Sequence, residues 1–461
     1  MTAPYSKAHL VGVGGAGMSG IARILLARGC VVSGSDAKDS LALRALAALG
    51  ATTYVGHDAA HVPADAEAVV VSSAIRPDNA EVVAAQALRI PVVPRAAALA
   101  ALMADAARPV AIAGTHGKTT TTSMLTVALQ SCGADPSFAI GGDLNEAGSN
   151  AHHGTGDVFV AEADESDGSF LLYEPWAAVI TNVEPDHLDH YGDAESYAQA
   201  FADFAARVRP DGVLVVCADD EGACRAAESA RARVVTYGTS PGADLRVDSL
   251  VLSGSRASFE LVERGRRLGV CWLSVPGRHN VLDAAAAMAV GLALGQPMGA
   301  LRTGLQSFGG ARRRFELRGE AGGVRVFDDY AHHPTELRAV LTAARAVAGA
   351  GRLVVAFQPH LYSRTQTFAT AFGEALGLAD DVVVMEVYAA REDPVAGVSG
   401  RLVANAVPLS PEHVVFEPSF GAVAGHLASR ARPGDVVITF GAGDVTQLAP
   451  EVLAALEEQA R

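Results

Sequence analysis

Tryptophan occurs twice and cysteine five times in 461 residues, and basic side chains (36) fall well short of acidic ones (51), for a net charge of −15. Each scarcity excludes something. The cysteines (Cys30, Cys132, Cys217, Cys224, Cys271) are scattered without a C-x-x-C pair, which speaks against a zinc site and fits a reducing compartment; all five are expected to be buried small apolar side chains. The shortage of Lys and Arg argues against a general nucleic-acid or anionic-membrane binder. Small anions stay open, because a loop at a helix N-terminus binds phosphate whatever the net charge. No apolar run is long enough to span a bilayer, and the N-terminal stretch lacks signal-peptide architecture. The expected location is the cytoplasm, with neither nucleic acid nor membrane as a partner.

What the chain has is apolar residues (50%) and glycine (47 residues), as in parallel sheets closely covered by helices. At roughly 150 residues per domain the length suggests about three domains. β-rich runs alternate with Ala/Leu-rich helical runs throughout, an α/β pattern. Residues 1–107 read as a Rossmann-like domain. Residues 108–318 restart the pattern with a second glycine loop and form a P-loop-like domain with a mostly parallel sheet. Residues 319–461 form a third, Rossmann-like domain.

Two loops carry phosphate chemistry. In "HLVGVGGAGMSGIA", Gly12, Gly14 and Gly17 fit G-x-G-x-x-G between a buried strand and a helix, and Asp36 ends the next strand-like run. That is the fingerprint for a dinucleotide or another diphosphate. In "AIAGTHGKTTTT", Gly114, Gly117, Lys118 and Thr119 again lie between strand and helix. Glycine amides close around phosphate oxygens, the lysine adds positive charge, and the threonine hydroxyl suits Mg²⁺. Only the second loop has the Lys-Thr pair, so it suits a triphosphate that is cleaved, and the first suits a diphosphate that is held. Because Lys118 faces a ligand, its loss should leave folding little changed.

Acids crowd two strand ends, where ligands of open α/β sheets collect. "AEADESDGSF" places Glu162 and Asp164 there, with Glu165 and Asp167 read as a solvated acidic loop; "TNVEPDHLDHY" adds Glu184, Asp186, His187 and Asp189. In the third segment "FDDYAHHPTEL" and "FQPHLYSRTQTF" bring Asp328, Asp329, Tyr330, His332 and His333, then His360, Tyr362 and Arg364. Arg364 suits a carboxylate through forked hydrogen bonds.

In chain order, "GVGGAGMSGIA", "SGSD", "VVSSAI", "GTHGKTTTT", "EADESDGSF", "TNVEPDHLDHY", "PGRHNVLDA", "RRFE", "DDYAHHPTE", "QPHLYSRT" and "FGAGDV" together resemble the Mur ligase family of ATP-dependent amide-bond ligases, and most closely its alanine-adding branch. The resemblance spans essentially the whole chain. It implies that Gly12, Gly14, Gly15 and Gly17 hold the diphosphate of UDP-N-acetylmuramate, with Asp36 toward the uridine end and His57 and Ser73 as further contacts. It implies ATP contacts from Gly114, Thr115, His116, Gly117, Lys118, Thr119, Thr120, His279, Asn280 and Arg314 (or its neighbour Arg313). Thr119, Glu162 and His187 resemble the family's Mg²⁺ ligands, and Tyr330, His332 and Arg364 its L-alanine pocket. Lys118, His187, Arg314 and Asp329 are the implied catalytic group. The chain would act as a monomer or homodimer, and closure of its domains would assemble the site. A lysine that some members carbamylate is here Ala202. Leu361 stands where other alanine-adding ligases show Arg, which leaves Arg364 as the principal fork, and Asp283 stands where Asn is common. The nearest alternative is a recycling ligase that adds a whole peptide to the same UDP-sugar. An NAD-dependent oxidoreductase is the alternative from another class.

Overall fold

The computed structural model describes residues 4–72, 74–141, 150–390 and 392–459. Three sheets follow one another along the chain, and the third begins with the strand Glu316–Ala321, just ahead of the expected boundary at 318/319. The first has five parallel strands in the order Thr52–Val55, Val31–Asp36, Lys7–Val11, Ala68–Val71, Val92–Pro94. This is the doubly wound order, which reverses beside the first strand in sequence and opens a crevice there. The glycine loop leaves that strand.

The second sheet has ten strands. From one edge they run Arg266–Leu273, Arg256–Glu263, Leu245–Ser253, Arg233–Gly238, Val213–Cys217, Ala177–Ile180, Arg108–Ala113, Val158–Glu162, Ser137–Ala139 and Ala151–His152. Its centre is parallel, and the strands there are continuous apolar runs because helices cover both faces. The strand Arg108–Ala113 feeds the second glycine loop and the helix Lys118–Ser131. The third sheet has six strands, Glu316–Ala321, Val324–Asp329, Val436–Phe440, Leu353–Phe357, Asp381–Met385 and Val414–Glu417, all parallel except the antiparallel edge strand Glu316–Ala321.

The chain divides into two compact units. The first comprises Met1–Asp248, Glu260–Cys271 and Leu282–Phe308; the second comprises Ser249–Phe259, Trp272–Val281 and Gly309–Arg461. Within the first, one core runs from Ala8 and Leu10 through Leu102 and Phe159 to Phe204 and Leu214, so residues of the first two expected domains share it. In the second, Leu353, Val355 and Phe357 enter one core while Val354 and Ala356 enter another. That is the two-residue period of a strand buried on both faces, and each of its Leu, Val and Phe side chains contributes about 1.5–3 kcal/mol. Helix starts follow local chemistry. Ser40, Asp193 and Asp220 cap their helices, and His333 forms a capping box with Glu336 ahead of Pro334. Of the cysteines, Cys30, Cys217 and Cys271 are buried as expected, but Cys132 and Cys224 are only half-buried. Among the described residues no helix is long and apolar enough to cross a membrane.

Candidate active site

The first glycine loop is held from below by Ser35, whose carbonyl accepts Gly12 N–H (2.8 Å) and Val13 N–H (2.9 Å). Gly12 has φ +79°, which favours glycine. Asp36 accepts Gly14 N–H at 2.9 Å, and a Cβ on Gly14 would lie 2.8 Å from that carboxylate. Gly15 opens the helix Ala16–Ala27 without a side-chain cap. Gly17 makes room for Arg95, since its Cβ would sit 3.0 Å from the guanidinium. Arg95 in turn donates to Asp164 at 3.1 Å. His57 contacts Ser35 Oγ through Nδ1 at 3.0 Å. Ser73 lies outside the described residues.

The second loop is tighter. A Cβ on Gly114 (φ +135°) would fall 1.9 Å from Thr181 Oγ1, and one on Gly117 (φ +83°) 2.5 Å from Asp283 Oδ1. Asp283 accepts Thr121 Oγ1–H at 3.1 Å, so the carboxylate in place of Asn anchors the helix that begins at Lys118. Thr115 meets Tyr197 Oη at 2.9 Å, His116 N–H donates to Asn182 (2.9 Å), and His116 Nε2 lies 3.2 Å from Glu184. Thr120 is buried in the first turn of the helix.

Lys118 Nζ donates to the Gly114 carbonyl (2.7 Å) and pairs with Glu165 (2.7 Å). Glu165 is wholly buried, so it is not part of a solvated acidic loop: the loop folds back and puts this carboxylate under the lysine. Asp167 accepts Ser169 N–H in a turn. Burial pushes the Glu165 carboxyl up to about 7 against the pull of Lys118. Burial also works against the lysine's charge, but Glu165 and Asp164 outweigh it and hold the ammonium above its ordinary value. The expectation that Lys118 serves only a ligand is therefore corrected.

Thr119 Oγ1 lies 3.0 and 3.1 Å from the two Glu162 oxygens. This hydroxyl–carboxylate pair is a hard-oxygen donor set of the kind Mg²⁺ takes. His187, at φ +51°, lies 3.6 Å from Glu165 and so meets the site beside Lys118. Nothing in the sequence pattern singled out Glu165, Arg95 or Tyr197, whose partners are remote along the chain.

In the second unit, Arg313 and Arg314 separate. Arg313 (φ +57°) donates to the Gly441 carbonyl at 2.6 Å and lies 3.4 Å from the buried Asp328. Arg314 lies over the Tyr330 ring at 5.3 Å and 3.8 Å from Glu336. Both guanidiniums lie over the Tyr330 ring, Arg313 at 4.8 Å and Arg314 at 5.3 Å; Arg313 is also tied to the Gly441 carbonyl and Asp328, whereas Arg314 turns toward Glu336. His279 is half-buried, and desolvation, with help from Arg314, lowers its imidazole to about 4. Asn280 donates to the Pro276 carbonyl at 2.6 Å.

Asp329 accepts Phe315 N–H and Ala331 N–H, each at 2.7 Å. Burial raises its carboxyl to about 7, with Arg314 pulling the other way. With an oxygen on each of two backbone amides, Asp329 holds the loops that carry Arg314 and Tyr330. The structure shows that positioning part beside the expected catalytic one.

Tyr330, His332 and His360 form an aromatic chain, edge to face at 5.3 and 6.0 Å, and His360 stacks on Tyr388 at 5.8 Å. Arg364 is buried and lies 3.4 Å from His360 Nδ1. The predicted alanine residues are thus brought together, and His360 and Tyr388 join them. Leu361 is buried at φ +70° and its N–H donates to the Tyr388 carbonyl at 3.0 Å. It fixes the turn that leads into the helix Tyr362–Leu376.

Comparison with known proteins follows this geometry. The models for the Mur ligase family catalytic domain, the Mur ligase middle domain and the Mur ligase glutamate ligase domain match residues 7–107, 112–291 and 313–443. A UDP-N-acetylmuramate–L-alanine ligase of Saccharopolyspora erythraea is 58% identical over all of this chain and 95% of its own length. One from Acidothermus cellulolyticus is 58% identical over 98% of this chain and 95% of its own. The crystal structure of the UDP-N-acetylmuramate–alanine ligase of Thermotoga maritima superposes with a TM-score of 0.83 at 29% identity, covering 98% of this chain and 99% of that one. With three consecutive domain models and whole-length relatives, the chain belongs to the Mur ligase family.

Proposed function

We propose that the chain joins L-alanine to the lactyl carboxylate of UDP-N-acetylmuramate at the expense of ATP, a step in making peptidoglycan precursor in the cytoplasm, acting as a monomer or homodimer. The observation that carries this reading is the whole-length 58% identity to relatives that bear that name. The two unlike glycine loops agree with it. The first, with amides but no Lys-Thr pair, suits the diphosphate of the nucleotide sugar. The second, with Lys118 and Thr119, suits the triphosphate. The peptide-adding alternative is represented by solved peptide ligases of Psychrobacter arcticus and Neisseria meningitides at 24% and 27% identity, far below the 58% of the alanine-adding relatives.

The chemistry assigns work to this chain's own groups. A carboxylate is a poor electrophile until it carries a leaving group. Attack of the lactyl oxygen on the γ-phosphorus of ATP forms a P–O bond, breaks the bond to ADP and yields an acyl phosphate. The alanine amine then attacks the acyl carbon and inorganic phosphate leaves. Lys118, released from Glu165, supplies positive charge to the transferring phosphoryl group, where preorganised charge is worth most. Thr119 and Glu162, with His187, would hold Mg²⁺, which neutralises phosphate charge when bound. Arg364 and the Tyr330–His332–His360 cluster orient the amino acid by its carboxylate.

The test is phosphate release with ATP, UDP-N-acetylmuramate and a panel of amino acids and the tripeptide. Release that depends on L-alanine supports the reading, and release that depends only on the peptide would overturn it.

A further inference from the structure

Under the floor of the nucleotide-sugar loop lies a group that the proposed reaction does not use. Glu81, in the first turn of the helix Ala80–Ala87, is completely buried. Around its carboxylate stand Ser35 Oγ (2.5 Å), His61 Nδ1 (3.0 Å), His57 Nδ1 (3.2 Å) and His9 Nε2 (3.7 Å). Despite burial, these neighbours hold the carboxyl down at about 2. Ser35 joins this hub to the loop above, because its carbonyl accepts the Gly12 and Val13 amides while its hydroxyl donates to Glu81.

An ionised carboxylate only accepts hydrogen bonds. Both rings that turn Nδ1 toward Glu81 must therefore carry the proton on Nδ1, and in the neutral ring Nε2 is then an acceptor. His57 and His61 are about one-fifth exposed, and neither Nε2 is a buried atom lacking a partner. His61 is further fixed by stacking on Tyr54, 4.1 Å away and 7° from parallel. Both rings follow the carboxyl end of the strand Thr52–Val55, on the same sheet edge as the glycine loop and Asp36.

We propose that Glu81 is a positioning residue that locks His57 and His61 in the Nδ1–H form, so that their Nε2 atoms accept hydrogen bonds from donor groups of the bound nucleoside. The ligand class, a nucleoside diphosphate with an imide N–H or ribose hydroxyl at this edge, rests on the functional reading above. A cytosine ring, with an acceptor where uracil has its imide N–H, would be disfavoured there.

Long-range ¹H–¹⁵N spectra of the histidine-labelled chain, with His57→Gln and His61→Gln spectra for assignment, read the tautomers directly. The expected result is Nδ1–H for both rings in the wild type and a shift toward Nε2–H in Glu81→Gln. UDP affinity should fall about tenfold or more in that variant, with ATP affinity unchanged. A loss of preference for UDP over CDP assigns the contact to the base, and a loss of preference for UDP over 2′-deoxy-UDP assigns it to the ribose. A merely structural Glu81 would lower thermal stability without moving the tautomers. If Glu81→Gln does not fold, UDP affinity of the two histidine variants reads the same contact. Nε2–H rings in the wild type, or unchanged UDP affinity in folded variants, would overturn the proposal. A wild-type chain that binds no uridine nucleotide would overturn the functional reading and the ligand assigned here, while the tautomers would still report on Glu81.

Discussion

Removing Lys118 is expected to strip a wholly buried carboxylate of its partner, as well as to remove a phosphate ligand. Lys118 meets Glu165 at 2.7 Å, and the Glu165 side chain is 1% exposed. Breaking a buried pair from one side costs about 3–5 kcal/mol when the remaining charge stays ionised. Glu165 has an ordinary value of 4.5 and is raised in the folded chain to about 7, by burial above all. Between those values the folded chain keeps a proton that the unfolded chain has released. Stability therefore falls as pH rises through that window, by at most about 1.4 kcal/mol per pH unit, and this contribution levels off above it. Lys118 pulls Glu165 down, so in Lys118→Ala the upper edge moves above 7 and the decline continues into the alkaline range. Thermal melts at pH 6, 7 and 8.5 are expected to show Lys118→Ala losing several degrees against wild type, most at pH 8.5. Adding Glu165→Gln removes the stranded charge and should restore most of the melting temperature and flatten the pH slope. Turnover should stay down by about two orders of magnitude in both variants. A single variant that melts with the wild type at pH 8.5, or a double variant that shows no recovery, would refute this account.

Three further outcomes are expected. Gly14→Val places a side chain against Asp36 and Ser40, so calorimetry should show loss of UDP-N-acetylmuramate binding with ATP binding retained; equal loss of both would contradict separate sites. Arg364→Ala should raise KM for L-alanine at least tenfold and leave KM for ATP nearly unchanged, whereas an unmoved alanine KM would place the amino acid elsewhere. Ala202 cannot be carbamylated, so turnover in CO₂-stripped buffer should not respond to bicarbonate at fixed pH and ionic strength; stimulation would mean that another lysine completes the metal site.

The parts of the site that were legible in the sequence are those whose chemistry is local. Phosphate loops need glycine at positive φ next to a strand and a helix start, and Gly12, Gly114 and Gly117 announce this within a few residues. The burial of Glu165 was not legible: its partner is 47 residues away, and an acid at a strand end looks the same whether it faces water or a lysine. Arg95 hid in the same way. The third glycine of a fingerprint ordinarily marks close helix–strand packing, but Gly17 here clears space for a guanidinium from another helix. Asp329 was assigned to chemistry by the family resemblance; its added scaffold role shows only in its two backbone donors. Leu361 read as a lost contact, because a residue's φ is not written in its identity.

The fixed turn at Leu361 has a consequence for so small a ligand as an amino acid. L-alanine has about six non-hydrogen atoms, and the best tiny ligands gain at most about 1.5 kcal/mol from each. Ordering a loop at about 1–2 kcal/mol per residue would consume most of that gain. Leu361 meets this cost during folding. Its left-handed turn is held by an apolar burial and by the Tyr388 carbonyl, and the next residue begins the helix Tyr362–Leu376 that fixes Arg364. The guanidinium is therefore in place before any ligand arrives, and under the proposed function the smallest substrate would meet a receptor whose shape is already settled.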